Sequence, residues 1–220
     1  MLKIKSIKKS YLQGSVNIKI FENLNFIVKE GQTVAIMGKS GSGKSTLLSL
    51  ISGIIKPDDG DILLNGVSYN KMKESEINDF RATNIGFIFQ NFHLVSYLNA
   101  LENVMLPAKV CNIANAQEEA IKLLKSVGLE HRLDHLPSQL SGGEKQRVAI
   151  ARSLIHNPKI ILADEPSGNL DEETGIAVMD KLFELIEKNN TTLILVTHSK
   201  DVATRCEQTY ELISGNLNKC

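Results

Sequence analysis

Tryptophan is absent from this 220-residue chain, and so are long hydrophobic runs. No apolar stretch approaches the ~18 residues that a helix needs to cross a bilayer. Residues 1–10 (MLKIKSIKKS) are basic but lack the apolar core of a signal peptide. These absences exclude an integral membrane protein and a secreted one, and we expect a globular protein in the cytoplasm.

Cysteine is scarce, and charge of one sign is not in excess. Cys111, Cys206 and Cys220 are scattered without a C-x-x-C motif, which argues against a disulfide framework or a zinc site and for reduced thiols. The 25 Lys and Arg residues balance the 25 Asp and Glu residues, so the formal net charge is zero. This balance argues against a nucleic-acid-binding protein with a basic surface, although it leaves a local basic patch open.

The most informative segment that is present is residues 38–45, GKSGSGKS, which fit the phosphate-loop pattern G-x-x-x-x-G-K-[ST]. Residues 33–37 are typical of a buried strand and residues 46–51 of a helix, as such a loop requires. Backbone N–H groups at the helix N-terminus would bind phosphate. Lys44 would reach the β- and γ-phosphates, and the Ser45 hydroxyl would ligate Mg²⁺. A glycine-rich turn without a ligand is the alternative, and the flanking strand and helix favour a nucleotide site.

Hydrophobic patterning predicts an α/β fold. The apolar residues of the N-terminal third alternate over residues 2–7 and again over much of 18–28, where they are Ile18, Ile20, Leu24, Phe26 and Val28. Further strands are predicted at 61–64 (before an Asn65-Gly66 turn), 84–89, 160–163 and 193–196.

Helical spacing dominates residues 98–156, and another helix would bury one apolar stripe, composed of Ile176, Met179, Leu182, Phe183 and Ile186. Continuous apolar strands separated by helices indicate a parallel sheet covered on both faces. We predict one domain over residues 1–220, with a nucleotide-binding core of 1–90 and 156–220 and a helical insertion at 91–155.

Two carboxylates, Asp164 and Glu165, end the apolar strand at residues 160–163. Ligands of parallel sheets bind beyond the carboxyl ends of the strands. Asp164 suits Mg²⁺ coordination, directly or through water, and Glu165 could activate an attacking water. Acidic residues at this position also serve as simple helix caps, but the phosphate loop favours the catalytic interpretation.

Residues 140–147, LSGGEKQR, open an amphipathic helix. Ser141 and Glu144 fit a capping box, which is a purely structural interpretation. A capping box does not explain Gly142 and Gly143, because glycines cost helix stability. They are expected where a helix N-terminus meets a phosphate closely. Two phosphate-binding elements for one nucleotide suggest that the elements come from different subunits.

These motifs together resemble the ATP-binding-cassette (ABC) ATPases over essentially the whole chain. LSGGEKQR matches the signature motif of that family, in order with the phosphate loop and with residues 160–165. The resemblance implies a P-loop NTPase fold of ABC type: a RecA-like parallel sheet, an N-terminal antiparallel β-subdomain and an inserted helical subdomain. It implies ATP and Mg²⁺ as ligands and ATP hydrolysis as the activity.

The resemblance also assigns individual roles. Gln90 would contact Mg²⁺ and water, His198 would contact the γ-phosphate, and Tyr11 would stack on adenine. The implied catalytic residues are Glu165, His198, Gln90 and Lys44, and the implied metal ligands are Ser45, Gln90 and Asp164. The implied ATP-binding residues are Tyr11, Gly38, Ser40, Gly41, Ser42, Gly43, Lys44, Ser45 and Thr46, with Ser141, Gly142, Gly143, Glu144 and Asp171 facing the ATP of a partner subunit. Taken alone, a histidine at a strand end is usually structural or exposed, and an aromatic in a β-rich segment commonly serves packing, so the roles of His198 and Tyr11 depend on the resemblance.

A narrower resemblance lies in residues 84–107. It is to the subfamily of ABC ATPases from lipoprotein-releasing complexes, macrolide-efflux pumps, antimicrobial-peptide resistance transporters and the cell-division system. It implies a homodimer formed on ATP binding and an integral membrane subunit that docks near residues 91–107, with the chain peripheral on the cytoplasmic face of the membrane and no nucleic-acid partner. Ser167 stands where these relatives commonly have Thr, and residues 108–117 form a shorter segment than in many of them.

Two other functions are compatible with the motifs. A non-transport ABC ATPase of DNA repair, chromosome organisation or translation would usually carry coiled-coil insertions, zinc motifs or a second cassette, which this sequence lacks. A binding module that senses ATP without hydrolysis would have lost a catalytic residue, yet Glu165, Gln90 and His198 are present. The sequence therefore favours the ATPase of a membrane transporter, with export, lipoprotein release and mechanotransmission left open.

Overall fold

The computed structural model of the chain describes residues 1–69 and 71–220. The strands are β1 (Leu2–Gln13), β2 (Val16–Val28), β3 (Thr33–Met37), β4 (Asp59–Leu64), β5 (Val67–Ser68), β6 (Ile85–Ile88), β7 (Ile160–Asp164), β8 (Thr192–Val196), β9 (Gln208–Ile213) and β10 (Asn216–Lys219). The helices are α1 (Lys44–Ile51), α2 (Glu74–Asn84), α3 (Ala100–Val110), α4 (Ala116–Ser126), α5 (Gly142–Leu154), α6 (Glu172–Lys188) and α7 (Lys200–Ala203), with a 3₁₀ turn at Pro137–Gln139. The chain forms two compact units, Met1–Arg81 with Thr192–Cys220, and Ala82–Thr191.

The first unit contains an antiparallel sheet in the order β2-β1-β4-β5. β1 and β2 pair from Leu2 opposite Val28 to Gln13 opposite Val16, so both strands are longer than the sequence pattern predicts. The predicted alternation is confirmed where Leu24, Phe26 and Val28 are buried, but Ile18 is 38% exposed. Buried and exposed side chains therefore alternate only in the part of β2 that packs against the hydrophobic core.

A second sheet of the same unit has the order β10-β9-β3-β8. β3 is parallel to both β8 and β9, as the continuous apolar runs predict. α1 follows β3 and buries Leu47, Leu48, Leu50 and Ile51. The hairpin of β9 and β10 was not predicted, because its short, polar strands lack a clear period. The sheet places the C-terminal end of β3, and with it the phosphate loop, beside the C-terminal end of β8.

The second unit contains the parallel pair β6 and β7 together with α3, α4, α5 and α6. α6 buries a stripe that differs from the predicted one: Val178 and Leu185 join Met179, Leu182 and Ile186, whereas Ile176 is 56% exposed. The prediction was wrong for Ile176 because several apolar stripes fit a long helix, and packing decides which one is buried.

The predicted helical insertion at 91–155 contains α3, α4 and α5. The two compact units divide the chain at other positions, so the division into a core and a helical subdomain stays a prediction. Among the described residues no helix combines the length and the apolar character needed to cross a membrane.

Candidate nucleotide-binding site

The phosphate loop connects β3 to α1 with the backbone geometry that its glycines allow. Gly43 precedes the first residue of α1 with a φ of 100°, in the left-handed region. A Cβ on Gly43 would lie 2.7 Å from Cγ2 of Ile20 and 3.3 Å from Cζ of Phe21. Both the turn and the contact with β2 therefore require glycine here.

Lys44 and Ser42 make the loop suitable for phosphate. The Lys44 ammonium donates to the carbonyl oxygens of Gly38 at 2.8 Å and Lys39 at 3.0 Å, which holds a positive charge against the loop. The Ser42 hydroxyl oxygen is buried and, within the described part of the chain, has no hydrogen-bond partner. A buried polar atom without a partner is costly, and a phosphate oxygen would satisfy it. The residues present therefore fit a bound phosphate.

His198 follows β8 and lines the same cavity as the start of the phosphate loop. This cavity of about 620 Å³ belongs to the first unit, and its wall includes Met37, Gly38, Lys39 and His198. Its remaining lining residues are Lys200, Ala203, Thr204, Thr209, Glu211 and Cys220. The fold thus brings together the loop and the histidine, which are more than a hundred residues apart in the sequence.

Tyr11 lies in the β1–β2 hairpin, opposite Ile18, and is 42% exposed. The Lys9 ammonium lies 5.4 Å from the centroid of the Tyr11 ring and pairs with Asp58 at 2.9 Å. Hydrogen bonds from Lys9 and Ser10 lower the pKa of Asp58 against the opposing effect of its partial burial. The exposed part of the ring is accessible to a stacking base.

Asp164 and Glu165 lie at the end of β7 in the second unit. Glu165 has a φ of 47°, in the left-handed region that residues with a Cβ rarely adopt. Its carbonyl oxygen accepts a hydrogen bond from the Gly168 amide at 2.9 Å, which closes a tight turn after the strand. Such strained backbone is concentrated at functional sites.

Gln90 and Asn169 form a reciprocal pair in the second unit. Gln90 Nε2 donates to Asn169 Oδ1 at 3.0 Å, and Asn169 Nδ2 donates to the Gln90 carbonyl at 3.1 Å and to Asn91 Oδ1 at 2.8 Å. A Cβ on Gly168 would lie 2.9 Å from Gln90 Nε2, so glycine leaves room for the pair. These bonds assign the orientation of both amides.

The capping box at α5 is present. The Ser141 amide donates to Glu144 Oε2 at 2.8 Å, and the Glu144 amide donates to Ser141 Oγ at 3.2 Å. Glu144 also pairs with Arg132 at 2.9 Å. The backbone hydrogen bond from Ser141, assisted by Arg132, lowers the pKa of Glu144 despite some burial. Glu144 thus has a structural role within its own chain.

Gly143 has a packing role that the sequence did not reveal. It is buried, and a Cβ there would overlap Cγ2 of Thr174 in α6. Asp171 caps α6 by accepting from the Thr174 amide at 3.0 Å, and this bond lowers its pKa. A close approach to phosphate would account for both glycines, and the contact with α6 is a second physical reason for Gly143.

Comparison with known proteins decides the family. The profile described as "ABC transporter" matches residues 21–168. The chain belongs to the ABC transporter family. It is 44% identical over 221 residues to the ABC transporter ATP-binding protein YbbA of Escherichia coli strain K12, covering 100% of the chain and 97% of YbbA. It is also 44% identical over 219 residues to the lipoprotein-releasing system ATP-binding protein LolD of Legionella pneumophila strain Lens, covering 99% and 96%.

Solved ABC cassettes share the fold. The dimeric, post-hydrolysis structure of the ATP-binding cassette MJ0796 with ADP and Pi superimposes with a TM-score of 0.92 at 40% identity, covering 100% of this chain and 98% of that one. A second dimeric MJ0796 structure gives 0.91 at 41% identity, covering 99% and 97%. The predicted fold class, ATP as ligand and ATP hydrolysis as activity are confirmed, and Mg²⁺ is the standard partner of ATP in this family.

Within this ABC ATPase, sequence reasoning did not find the supporting contacts of the site. Neither Asn169 nor Arg132 was predicted to support the site. Their partners are 79 and 12 residues away, so no local pattern marks them. The roles of the individual site residues stay predictions.

Proposed function

We propose that this ABC ATPase dimerises head to tail around two ATP molecules and drives a membrane subunit. Each ATP would lie between the phosphate loop of one protomer and residues 141–144 of the other. The N-terminus of α5 supports this proposal, because the dipole and the first-turn N–H groups of a helix favour an anion at this end. Both MJ0796 structures are described as dimeric. Tyr11 would stack on the adenine, and Asp171 would approach the ATP held by the partner.

The proposed chemistry is in-line attack of water on the γ-phosphorus. Glu165 accepts a proton from the water while the oxygen of the water bonds to the γ-phosphorus. The bond between the γ-phosphorus and the β–γ bridging oxygen breaks, which releases ADP. His198 positions the γ-phosphate, and Lys44 neutralises charge that develops there. Ser45, Gln90 and Asp164 would hold Mg²⁺, which would supply further charge neutralisation. These donors are a hydroxyl, an amide and a carboxylate oxygen, which suit this cation.

A membrane subunit would dock near residues 91–107. Tyr97 lies in this segment and is 80% exposed, as a large apolar side chain at an interface would be. Asn103 holds the preceding loop by bonds to Val95, Leu98 and Asn99, which gives a partner a rigid surface. The name of LolD assigns that relative to a lipoprotein-releasing system. We place this chain on the cytoplasmic face of a membrane, in export, lipoprotein release or mechanotransmission.

The observation that carries the nucleotide site is the Lys44 ammonium held against the loop next to the buried Ser42 hydroxyl. Lys44→Ala should abolish tight ATP binding in calorimetry. Lys29→Ala removes an exposed lysine elsewhere in the same unit and should leave binding intact. Unchanged affinity of the Lys44 variant would refute the site.

Glu165→Gln tests the catalytic base and the dimer together. This variant should bind ATP, lose nearly all turnover and elute as a dimer in gel filtration with ATP. Normal turnover would remove Glu165 from the role of base, and a monomer at saturating ATP would argue against the head-to-tail dimer.

A further inference from the structure

The backbone directly after β6 is held by side chains at four of five consecutive carbonyl groups. Within residues 89–93, the Phe89 carbonyl accepts from Gln146 Nε2 at 3.4 Å and the Gln90 carbonyl from Asn169 Nδ2 at 3.1 Å. The carbonyls of Phe92 and His93 accept from Arg152 Nη2 at 2.7 Å and Nη1 at 2.6 Å. We call residues 89–93 the clamped segment. Gln146 and Arg152 belong to α5, the helix that begins with the signature motif.

The clamped segment needs these donors because part of it is strained. Phe92 has a φ of 58° and His93 a φ of 48°, both in the left-handed region. Such residues persist only where the surroundings hold them. One guanidinium spans both carbonyls, and its two bonds are the shortest of the four. Arg152 therefore opposes the relaxation of Phe92 and His93.

The Arg152 guanidinium forms hydrogen bonds with these backbone carbonyls and does not form an ion pair within the described ranges. Within the described ranges no carboxylate lies within 4.0 Å of its guanidinium. Burial lowers its pKa, although an arginine stays charged in proteins. A buried cation is costly, and hydrogen bonds to charged donors are stronger than neutral ones. This position suits a residue that fixes backbone geometry.

We propose that Arg152 is a positioning residue for Gln90, acting on the clamped segment from its C-terminal side. The Gln90 amide donates through Nε2 to Asn169, and an amide oriented in this way has its oxygen to offer a metal ion. Asn169 fixes the side chain of Gln90, and Arg152 fixes the backbone two and three residues downstream. The proposal rests on the proposed role of Gln90 as a Mg²⁺ ligand. It assigns to α5 a second task, besides presenting residues 141–144.

Arg152→Met tests the proposal, because methionine keeps an unbranched stem and removes every donor. The apparent Mg²⁺ affinity in the ATPase assay should weaken by about tenfold, with a fall in kcat, since loss of a group that orients a metal ligand typically costs about 10–100-fold in metal affinity or activity. Binding of ATP without Mg²⁺ should stay unchanged, because the phosphate loop does not use Arg152. Arg152→Lys keeps a donor cation and should give an intermediate Mg²⁺ affinity, and it also serves if the methionine variant does not fold.

Two further variants make the outcomes distinct. Ser153→Ala removes the hydroxyl bond from Ser153 to the Ile150 carbonyl in the same helix and should leave the Mg²⁺ dependence unchanged. Gln90→Ala should strongly change the Mg²⁺ dependence of the ATPase rate. If Gln90→Ala shifts it while both Arg152 variants retain the wild-type dependence, the positioning role is overturned. If Gln90→Ala has no effect, the metal-ligand role of Gln90 fails, and the inference about Arg152 fails with it.

Discussion

Gly143 offers a way to separate packing from ligand contact in the signature motif. A Cβ at this position would lie well under 3.0 Å from Cγ2 of Thr174, and real Cβ atoms essentially never make contacts shorter than 3.0 Å. Overpacking of this kind costs about 1–3 kcal/mol. Replacing a helical glycine by alanine returns about 1 kcal/mol. Gly143→Ala should therefore lower the free energy of unfolding by about 1 kcal/mol, equivalent to about 2–4 °C in Tm for a chain of this size.

Thr174→Ser is the matched second change. It removes the methyl group that the new Cβ would meet and keeps a hydroxyl for the cap at Asp171, whose pKa is lowered in part by the Thr174 side chain. In the double variant Gly143→Ala with Thr174→Ser, the loss of stability should be largely reversed. A coupling of about 1–2 kcal/mol in the double-mutant cycle is expected for atoms in contact.

The assay is urea unfolding of the four proteins in the cycle, paired with steady-state ATPase rates. If Gly143 also has to approach a partner's phosphate, the double variant will recover stability but not activity. Recovery of both would show that packing against Thr174 is the sole need for glycine. A Gly143→Ala protein as stable as wild type, with no coupling to Thr174→Ser, would refute the packing argument.

Two predictions concern stability alone. His156 Nε2 lies 3.2 Å from the Ile85 carbonyl, while Nδ1 is buried and, among the described residues, has no partner. Burial lowers the pKa of His156 below its usual 6.5, against the smaller opposing effect of that hydrogen bond. As the pH falls, the unfolded chain binds a proton at His156 before the folded chain does, and this favours unfolding. The free energy of unfolding is therefore unaffected by His156 above about pH 6.5 and decreases below it, by at most about 1.4 kcal/mol per pH unit. Urea unfolding of wild type and His156→Gln at pH 7.5 and 5.5 measures this decrease. An equal change in the free energy of unfolding in both proteins would contradict the lowered pKa of His156. Asn103→Ala should lower the free energy of unfolding by about 2–4 kcal/mol in urea, because the buried amide forms hydrogen bonds with Val95, Leu98 and Asn99. Asn189→Ala loses one partly buried hydrogen bond to Leu185 and should cost about 1 kcal/mol. An equal loss of stability in both variants would contradict this difference.

Much of the secondary structure could be read from local patterns. The strand before the phosphate loop, the helix after it and the turn at Asn65 and Gly66 were all predicted, and both turn residues have positive φ, as a tight hairpin turn requires. Each signal spans only a few residues and reflects a backbone requirement that few residue types meet. β9 and β10 carried no such signal, and their pairing depends on neighbours in the sheet.

The candidate site divides in the same way. The sequence by itself determined the chemistry-bearing residues, because a phosphate loop, a strand ending in two acids and a signature motif are contiguous in the chain. Only the tertiary structure decided what holds them: Arg152 on the carbonyls of Phe92 and His93, Asn169 on Gln90, and Thr174 against Gly143. These partners are separated by 31 to 79 residues, and backbone carbonyls are the same in every residue type, so no sequence pattern can mark them. Packing selects these pairs, since only the folded chain brings the donors within hydrogen-bonding distance.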